Sequence, residues 1–260
     1  MSQKTNSNDR AKLEKRVAVV TGAASGIGLG VSRCLAQAGY PVAMFDVQAE
    51  LLDRVVRELR AEDLKVFGWT VDVANRGQVD AAISAVRSKF GSIAIVVTSA
   101  GIDANDVFTD ITLERWNHVL AVNLTGTFNC IQSAIGDMVN AKWGRIITIS
   151  SQSAQSGAPT RAHYVASKGG IIALTKAISY DYAPLGITAN TIPPSIIDTP
   201  MATKATEAGH FPGVDVIVPF IPVRRAGTPD DVAQACLFLC SDGAGFITGQ
   251  QIGVNGGMYI

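Results

Sequence analysis

The sequence predicts an α/β chain, a doubly wound parallel sheet of about seven strands with helices on both faces, in a single domain. Three observations carry this. Short apolar runs recur from end to end, and each is followed by a stretch with helical spacing of its apolar residues. The strand runs are continuously apolar rather than alternating, as strands covered on both faces must be. No linker-like stretch, internal repeat or low-complexity segment divides the chain.

In order, residues 16–21 form a first strand, followed by a glycine-rich turn and a helix near 26–38. A second strand at 41–46 leads to a helix near 49–61, and a third at 65–71 to a helix near 76–90. The fourth strand, 93–98, precedes a long helix near 112–140, and the fifth spans 145–150. A helix through Tyr164 reaches about 183, where Pro184 and Gly186 end it. The sixth strand covers 186–192, a helix lies near 229–240, and a last strand falls near 250–254. Residues 1–14 are polar and mixed in charge, with no apolar targeting segment, and are expected to be a flexible tail.

Composition removes several classes. The chain has 260 residues, 47% of them hydrophobic, which is enough for a full core. Its 22 basic and 22 acidic residues balance, so nothing points to nucleic acid or an anionic membrane. No apolar run reaches the length of a membrane span. The cysteines Cys34, Cys130, Cys236 and Cys240 contain no Cys-x-x-Cys and have no histidine cluster beside them. They read as reduced core residues of a cytoplasmic protein without a metal site.

Thr21-Gly22-Ala23-Ala24-Ser25-Gly26-Ile27-Gly28 follows the first strand directly and opens a helix. Glycines at such a turn let backbone approach a pyrophosphate that rests on the helix N-terminus. The spacing is Gly-x-x-x-Gly-x-Gly, and no Gly-Lys-Ser/Thr makes it an NTPase loop. Asp46 ends the second strand, 18 residues beyond Gly28. A carboxylate there can accept both adenosine ribose hydroxyls and repels a 2′-phosphate, and Ser25 offers that phosphate no charge. Both features predict NAD over NADP. A helix N-cap or turn role is the alternative for Asp46. Asp72, with Val73, either meets the adenine or caps the next helix.

Tyr164 and Lys168 are four apart, which places both on one helix face. A tyrosine ionises near pH ~10, and one ammonium about 4 Å away favours the phenolate by roughly 4 kcal/mol at an effective dielectric of about 20. On that reasoning Lys168 tunes Tyr164 toward neutral pH, where proton-transfer catalysts work best. An ordinary surface pair is the competing reading, and what precedes the pair argues against it.

Those preceding motifs are Thr21-Gly22-x-x-x-Gly26-Ile27-Gly28, Ala100-Gly101 after the fourth strand, Asn123 seven residues after Trp116, and Ser151 thirteen before Tyr164. With Tyr164-x-x-x-Lys168, the chain resembles the short-chain dehydrogenase/reductase family from Arg16 to its end. The resemblance implies a Rossmann-like fold and a tetrad of Asn123, Ser151, Tyr164 and Lys168. In it Tyr164 is the general acid/base and Ser151 hydrogen-bonds the same substrate oxygen. Lys168 lowers the tyrosine pKa and holds the nicotinamide ribose, and Asn123 anchors a water in a proton relay. Ser99, Ala100, Gly101, Pro194, Ile197 and Thr199 complete the expected cofactor contacts. Relatives commonly form homotetramers through the helices near 112–140 and 164–183, whose Ile131, Ile135, Met138, Ile172, Leu174 and Ile178 look surplus to one sheet face.

Two departures stand out. Thr98-Ser99 replaces the family's Asn-Asn, with Ser99 expected to make one sheet-bridging hydrogen bond. Pro194-Ser195 replaces Pro-Gly, so Ser195 must adopt a backbone conformation open to a non-glycine residue. Strand alternation points Ser150 away from Ser151. His163, adjacent to Tyr164 but off its face, is expected at the substrate rim or the surface.

The expected activity is NAD-dependent hydride transfer with a secondary alcohol or ketone, uncharged and largely apolar, cyclic or aromatic substrates included. The alternatives are an NADPH-dependent 3-ketoacyl-type reductase and a non-catalytic dinucleotide-binding protein. Residues 15–260 then form one dinucleotide-binding and catalytic domain. The stretch near 200–224, rich in apolar residues with Gly209 and Gly213 as hinges, reads as a substrate lid; a second small core cluster is the plainer alternative.

Overall fold

A computed structural model describes Leu13 and residues 15–260. Strands β1 (Val17–Thr21), β2 (Val42–Asp46), β3 (Val66–Thr70), β4 (Ile93–Thr98), β5 (Gly144–Ile149) and β6 (Ile187–Ile192) make one parallel sheet, in the order β3-β2-β1-β4-β5-β6. Helices α1 (Gly26–Gln37), α2 (Ala49–Ala61) and α3 (Arg76–Phe90) follow the first three strands. After β4 come α4 (Leu113–Leu120) and α5 (Gly126–Ala141); after β5 come the single turn α6 (Ser153–Ser156) and the long α7 (Ala162–Tyr182). After β6 lie α8 (Pro200–Glu207), the short α9 (Val214–Ile217) and α10 (Pro229–Cys240).

Strand order explains burial. Every residue of β1, β2, β4, β5 and β6 is buried, because successive side chains enter opposite cores. Ala18, Val20, Val42 and Met44 pack on one face, and Val17, Val19, Ala43 and Phe45 on the other. Only β3, an edge strand, alternates. The four cysteines are buried free thiols. Burial pushes Cys130 and Cys240 up to about 12, which leaves them inert.

The seventh strand expected near 250–254 is not a full strand. That segment meets β6 at the isolated bridge Thr191 to Gln251 and through Gln250 N, which donates to Asn190 Oδ1 at 3.0 Å; just beyond the strand, Pro194 bridges to Val254. The long helix expected near 112–140 is also interrupted: Ala121–Thr125 form a π-helical turn between α4 and α5. The tail expected at 1–14 lies outside the described residues except for Leu13, which packs partly buried against the core. Among the described residues no helix is long and apolar enough to cross a membrane.

The order reverses beside β1, whose neighbours are β2 and β4. The crevice beyond the C-terminal ends of β1 and β4 is where an open α/β sheet receives a ligand.

Candidate active site

The turn after β1 is too crowded for any residue but glycine at two positions. Gly22 has φ +65°, and a Cβ there would lie 2.9 Å from the Ala100 backbone. A Cβ on Gly28 would lie 2.1 Å from the Gly22 carbonyl oxygen. Thr21 fixes the opposite wall: its Oγ1 accepts from the Ser99 N–H at 3.1 Å and the Ala100 N–H at 3.0 Å. The bridge expected of the Ser99 side chain is thus made by Thr21 to backbone. The helix that follows, α1, starts at Ser25 without a side-chain cap and has no acidic residue in its first turn. Its N–H groups and dipole are left facing the crevice, so a dinucleotide pyrophosphate fits this cradle.

Asp46 is buried at the end of β2. Its Oδ2 accepts from Ala24 N and its Oδ1 from Gln48 N, both at 2.9 Å. It does not cap α2, whose N-cap is Gln48. It ties the glycine-rich turn to β2 and holds a carboxylate beside that turn. Asp72 Oδ1 accepts from Ala74 N at 2.9 Å, while Asn75 caps α3. The capping alternative for Asp72 therefore falls. Val73 is buried against α5, where a Cβ on Gly126 would meet it at 2.6 Å.

The π turn exists to aim Asn123. Its Oδ1 accepts from Ile102 N at 2.8 Å, and its Nδ2 donates to Ser167 Oγ at 3.0 Å and Ile102 O at 3.2 Å. One fully buried side chain thereby pins the loop after Gly101 to α7. Such turns recur at functional sites, where a local widening redirects a side chain. Lys168, one turn beyond Tyr164, donates from Nζ to the Ile149 carbonyl at 2.9 Å. A Cβ on Gly101 would lie 3.2 Å from Asn123 Oδ1 and 3.3 Å from Lys168 Nζ, so those two groups share one pocket floor.

Tyr164 is buried, and hydrogen bonding from Ser151 lowers its pKa against the rise that burial causes. Ser150 turns the other way, its Oγ accepting from Thr191 Oγ1 at 3.0 Å. Pro194 O accepts from Gln152 N at 2.9 Å, joining the Ser151 turn to the loop after β6. Ser195 Oγ donates to Asn255 O at 3.0 Å, and its φ is not in the left-handed region, so the missing glycine costs no strain. Ile197 bridges to Gly227, and Thr199 caps α8 with its methyl over Gly26. Close approaches join several of these positions pairwise: Gly22 to Ala100, Gly101 to Asn123 and Lys168, Gln152 to Pro194, and Gly26 to Thr199.

The electrostatics differ from the sequence expectation. Tyr164 is raised above the ordinary tyrosine value, chiefly by burial; Arg161 and the Ser151 hydrogen bond oppose this. Lys168 is engaged elsewhere. Its Nζ is 5.8 Å from the ring centroid and turned toward Ile149. Burial also brings Lys168 down to about 8, which weakens it as a cation. The cation on Tyr164 is Arg161, whose guanidinium carbon lies 4.2 Å from the ring centroid. Arg161 is paired with Asp103. Sequence reasoning missed both, although Arg161 precedes Tyr164 by one helical turn.

His163 is likewise corrected. It is fully buried, with Nε2 2.8 Å from Asp106 Oδ2. The partner comes from 57 residues away, which no local pattern reveals.

The comparisons agree with this geometry. A family model described as Enoyl-(Acyl carrier protein) reductase matches residues 22–259. The chain is 39% identical to 3-oxoacyl-[acyl-carrier-protein] reductase FabG of Staphylococcus aureus, over 94% of this chain and 98% of the relative. It is 36% identical to the Thermotoga maritima protein of the same name, over 96% of this chain and 100% of the relative. A variant of the actinorhodin polyketide ketoreductase, solved with NADPH, superposes with a TM-score of 0.90 at 32% identity, over 94% of this chain and 97% of that one. With matches of this extent, the chain belongs to the short-chain dehydrogenase/reductase family and is an oxidoreductase.

Proposed function

We propose that the chain interconverts a 3-oxoacyl-type ketone and the matching secondary alcohol, with NAD(H) as the hydride carrier. The observation that carries the reaction type is the hydrogen bonding of Ser151 to Tyr164, one helical turn before Lys168 on α7. Two hydroxyls converging on one point suit a carbonyl oxygen that must gain a proton as its carbon gains hydride. The acyl character of the substrate is supported by the names of the relatives. It displaces the purely apolar alcohol as the leading substrate.

When bound, the nicotinamide supplies the hydride in reduction and accepts it in oxidation. The protein's residues do the rest. Ser151 hydrogen-bonds the carbonyl oxygen and polarises it. Tyr164 gives that oxygen its proton as the C=O π bond opens. Burial, by raising Tyr164, keeps the hydroxyl protonated near neutral pH, which suits the reductive direction. Lys168 and Asn123 lie behind the tyrosine, where a water on Asn123 can return the proton.

The NAD preference rests on Asp46. Its anchored carboxylate can accept ribose hydroxyls and meets a 2′-phosphate with like charge. The structural relative solved with NADPH makes this the point most worth testing. Nicotinamide absorbance should be followed with 3-oxoacyl thioesters and with simple ketones, using each reduced cofactor. Thioester reduction with NADH over NADPH is expected. Simple ketones proving the better substrates would overturn the acyl reading, and equal efficiency with both cofactors would overturn the NAD reading.

A homotetramer paired through α5 and α7 is the proposed assembly, but on fewer residues than the sequence suggests. Ile131 and Met138 are spent in the core, and Ile135 and Ile178 pack against it. Phe128 and Tyr180 are the exposed apolar groups left on these helices. Sedimentation of a stable monomer at micromolar concentration would refute it.

A further inference from the structure

We propose that Arg161, held by Asp103, is a specificity residue that binds the second carbonyl of the substrate, the one a single methylene away from the reacting ketone. This rests on the 3-oxoacyl reading above and deepens it.

Arg161 has a place in the site but no part in the chemistry described so far. It stands just before α7, its guanidinium stacked on the Tyr164 ring and within hydrogen-bonding reach of that tyrosine. Asp103 takes one of its N–H groups. Its Nε is buried and has no hydrogen-bond partner among the described residues. A guanidinium has five donors in a fixed plane, so the pairing and the stack leave donors free beside the tyrosine hydroxyl. The side chain as a whole is 24% exposed, so part of it is open to a ligand.

The surrounding loop makes this placement rigid. Asp103 is two residues past Gly101, on the loop that Asn123 pins to α7. Asp106 N donates to Thr160 O at 2.8 Å, and the Asp106 carboxylate takes both His163 and Arg115, at 2.8 and 3.2 Å. These links bracket Arg161 on both sides, so the guanidinium is pre-positioned rather than dangling from the surface.

A ketone oxygen set on Tyr164 and Ser151 puts the carbonyl of a 3-oxoacyl group one methylene away, within one side chain's reach. A planar cation stacked on the same tyrosine is suited to that oxygen. A simple ketone has no such oxygen and leaves the donor unsatisfied. Sites built to hydrogen-bond a group discriminate strongly against analogues lacking it.

The test compares ethyl 3-oxobutanoate with 2-heptanone, two ketones of equal chain length, in wild type and in Arg161→Met and Arg161→Lys. The readout is the ratio of kcat/KM for the two substrates, each at its own pH optimum. Any effect through Tyr164 touches both and cancels in the ratio. Wild type should favour the keto ester, and Arg161→Met should lower the ratio by about tenfold to a hundredfold, mainly through KM. Arg161→Lys, which keeps the charge and loses the fork, should fall between, and serves if the methionine variant fails to fold. An unchanged ratio overturns the proposal while leaving ketone reduction intact. If wild type reduces neither compound, the functional reading fails. Quenching of bound NADH fluorescence by the keto ester, lost in Arg161→Met, then still decides whether Arg161 binds the ester.

Discussion

The two ends of the crevice are built in opposite ways. At the proposed nucleotide end, neither Gly22, against Ala100, nor Gly28, against the Gly22 carbonyl, has room for a single added carbon. Asp46 and Thr21 each take two backbone N–H groups there. At the proposed substrate end, between Thr199 and Arg224, only Ile221 is buried. Met201, Val216 and Phe220 stand exposed, and a Cβ on Gly209 would meet nothing within 4 Å. A part that binds an invariant cofactor can be frozen. A part that must admit and release substrate is left with few contacts, and few contacts mean easy local opening.

The largest effect should come where the frozen end meets the chemistry. Tyr164→Phe removes the one hydroxyl that can pass the proton, so turnover should fall by about three orders of magnitude. The crevice from Gly22 to Asp46 is untouched, so NADH fluorescence should still report binding. Activity within about tenfold of wild type would remove Tyr164 from its role.

A matched pair of substitutions breaks the comparison directly. In Gly28→Ala the new carbon would collide with the Gly22 carbonyl, and a loss of about 3 kcal/mol is expected together with loss of nucleotide binding. In Gly209→Ala there is open space and only the cost of φ +72°, roughly 1 kcal/mol. Urea unfolding of the two proteins checks this; equal losses would mean the substrate segment is as tightly packed as the turn.

Cofactor choice is the next largest. Asp46→Ala should narrow the preference for NADH by relieving repulsion of a 2′-phosphate. It should also lower stability, since Ala24 and Gln48 lose their shared acceptor. Kinetics with both cofactors separates the two consequences.

The pH profile tests the corrected electrostatics. Lys168, depressed to about 8, should lose its charge as pH rises through that value, so activity should decline above about pH 8. Arg161 lowers both Lys168 and Tyr164. Arg161→Gln should therefore move the basic limb to higher pH. A limb that stays put assigns it to another group.

These predictions divide along what was legible in the sequence. The order of strands and helices, the glycine turn and the Tyr164–Lys168 pair could be read because each depends on near neighbours. Helices Ala49–Ala61 and Pro229–Cys240 fall where periodicity put them. What was missed depends on distant partners. The π turn at Asn123 is a shift of backbone register stabilised by Ile102 and Ser167. His163 is buried with its Nε2 against the carboxylate of Asp106, 57 residues away in the chain. Arg161, three residues before Tyr164, stacks on its ring, while Lys168 donates to the Ile149 carbonyl on β5. Residues 250–254 had the composition of a strand, but only scattered bridges formed.

The smallest expected effect concerns the loose end. The plainer sequence alternative for residues near 200–224, a second core cluster, finds little support in a segment whose apolar side chains are mostly exposed or half-buried. Gly209 and Gly213 both have positive φ and flank the short connection between α8 and α9. That arrangement suits a lid closing over the acyl chain, with Phe220, 74% exposed, as its largest contact. A residue so exposed contributes little to folding, so Phe220→Ser should change stability by less than about 0.5 kcal/mol. It should nonetheless alter selectivity for chain length. Each methylene buried beneath a closed lid contributes about 0.8 kcal/mol at most, so kcat/KM in wild type should climb along a series of 3-oxoacyl thioesters until the lid is filled. In Phe220→Ser that climb should flatten, with the shortest member almost unaffected. A slope identical to wild type would show that the acyl chain never reaches this segment.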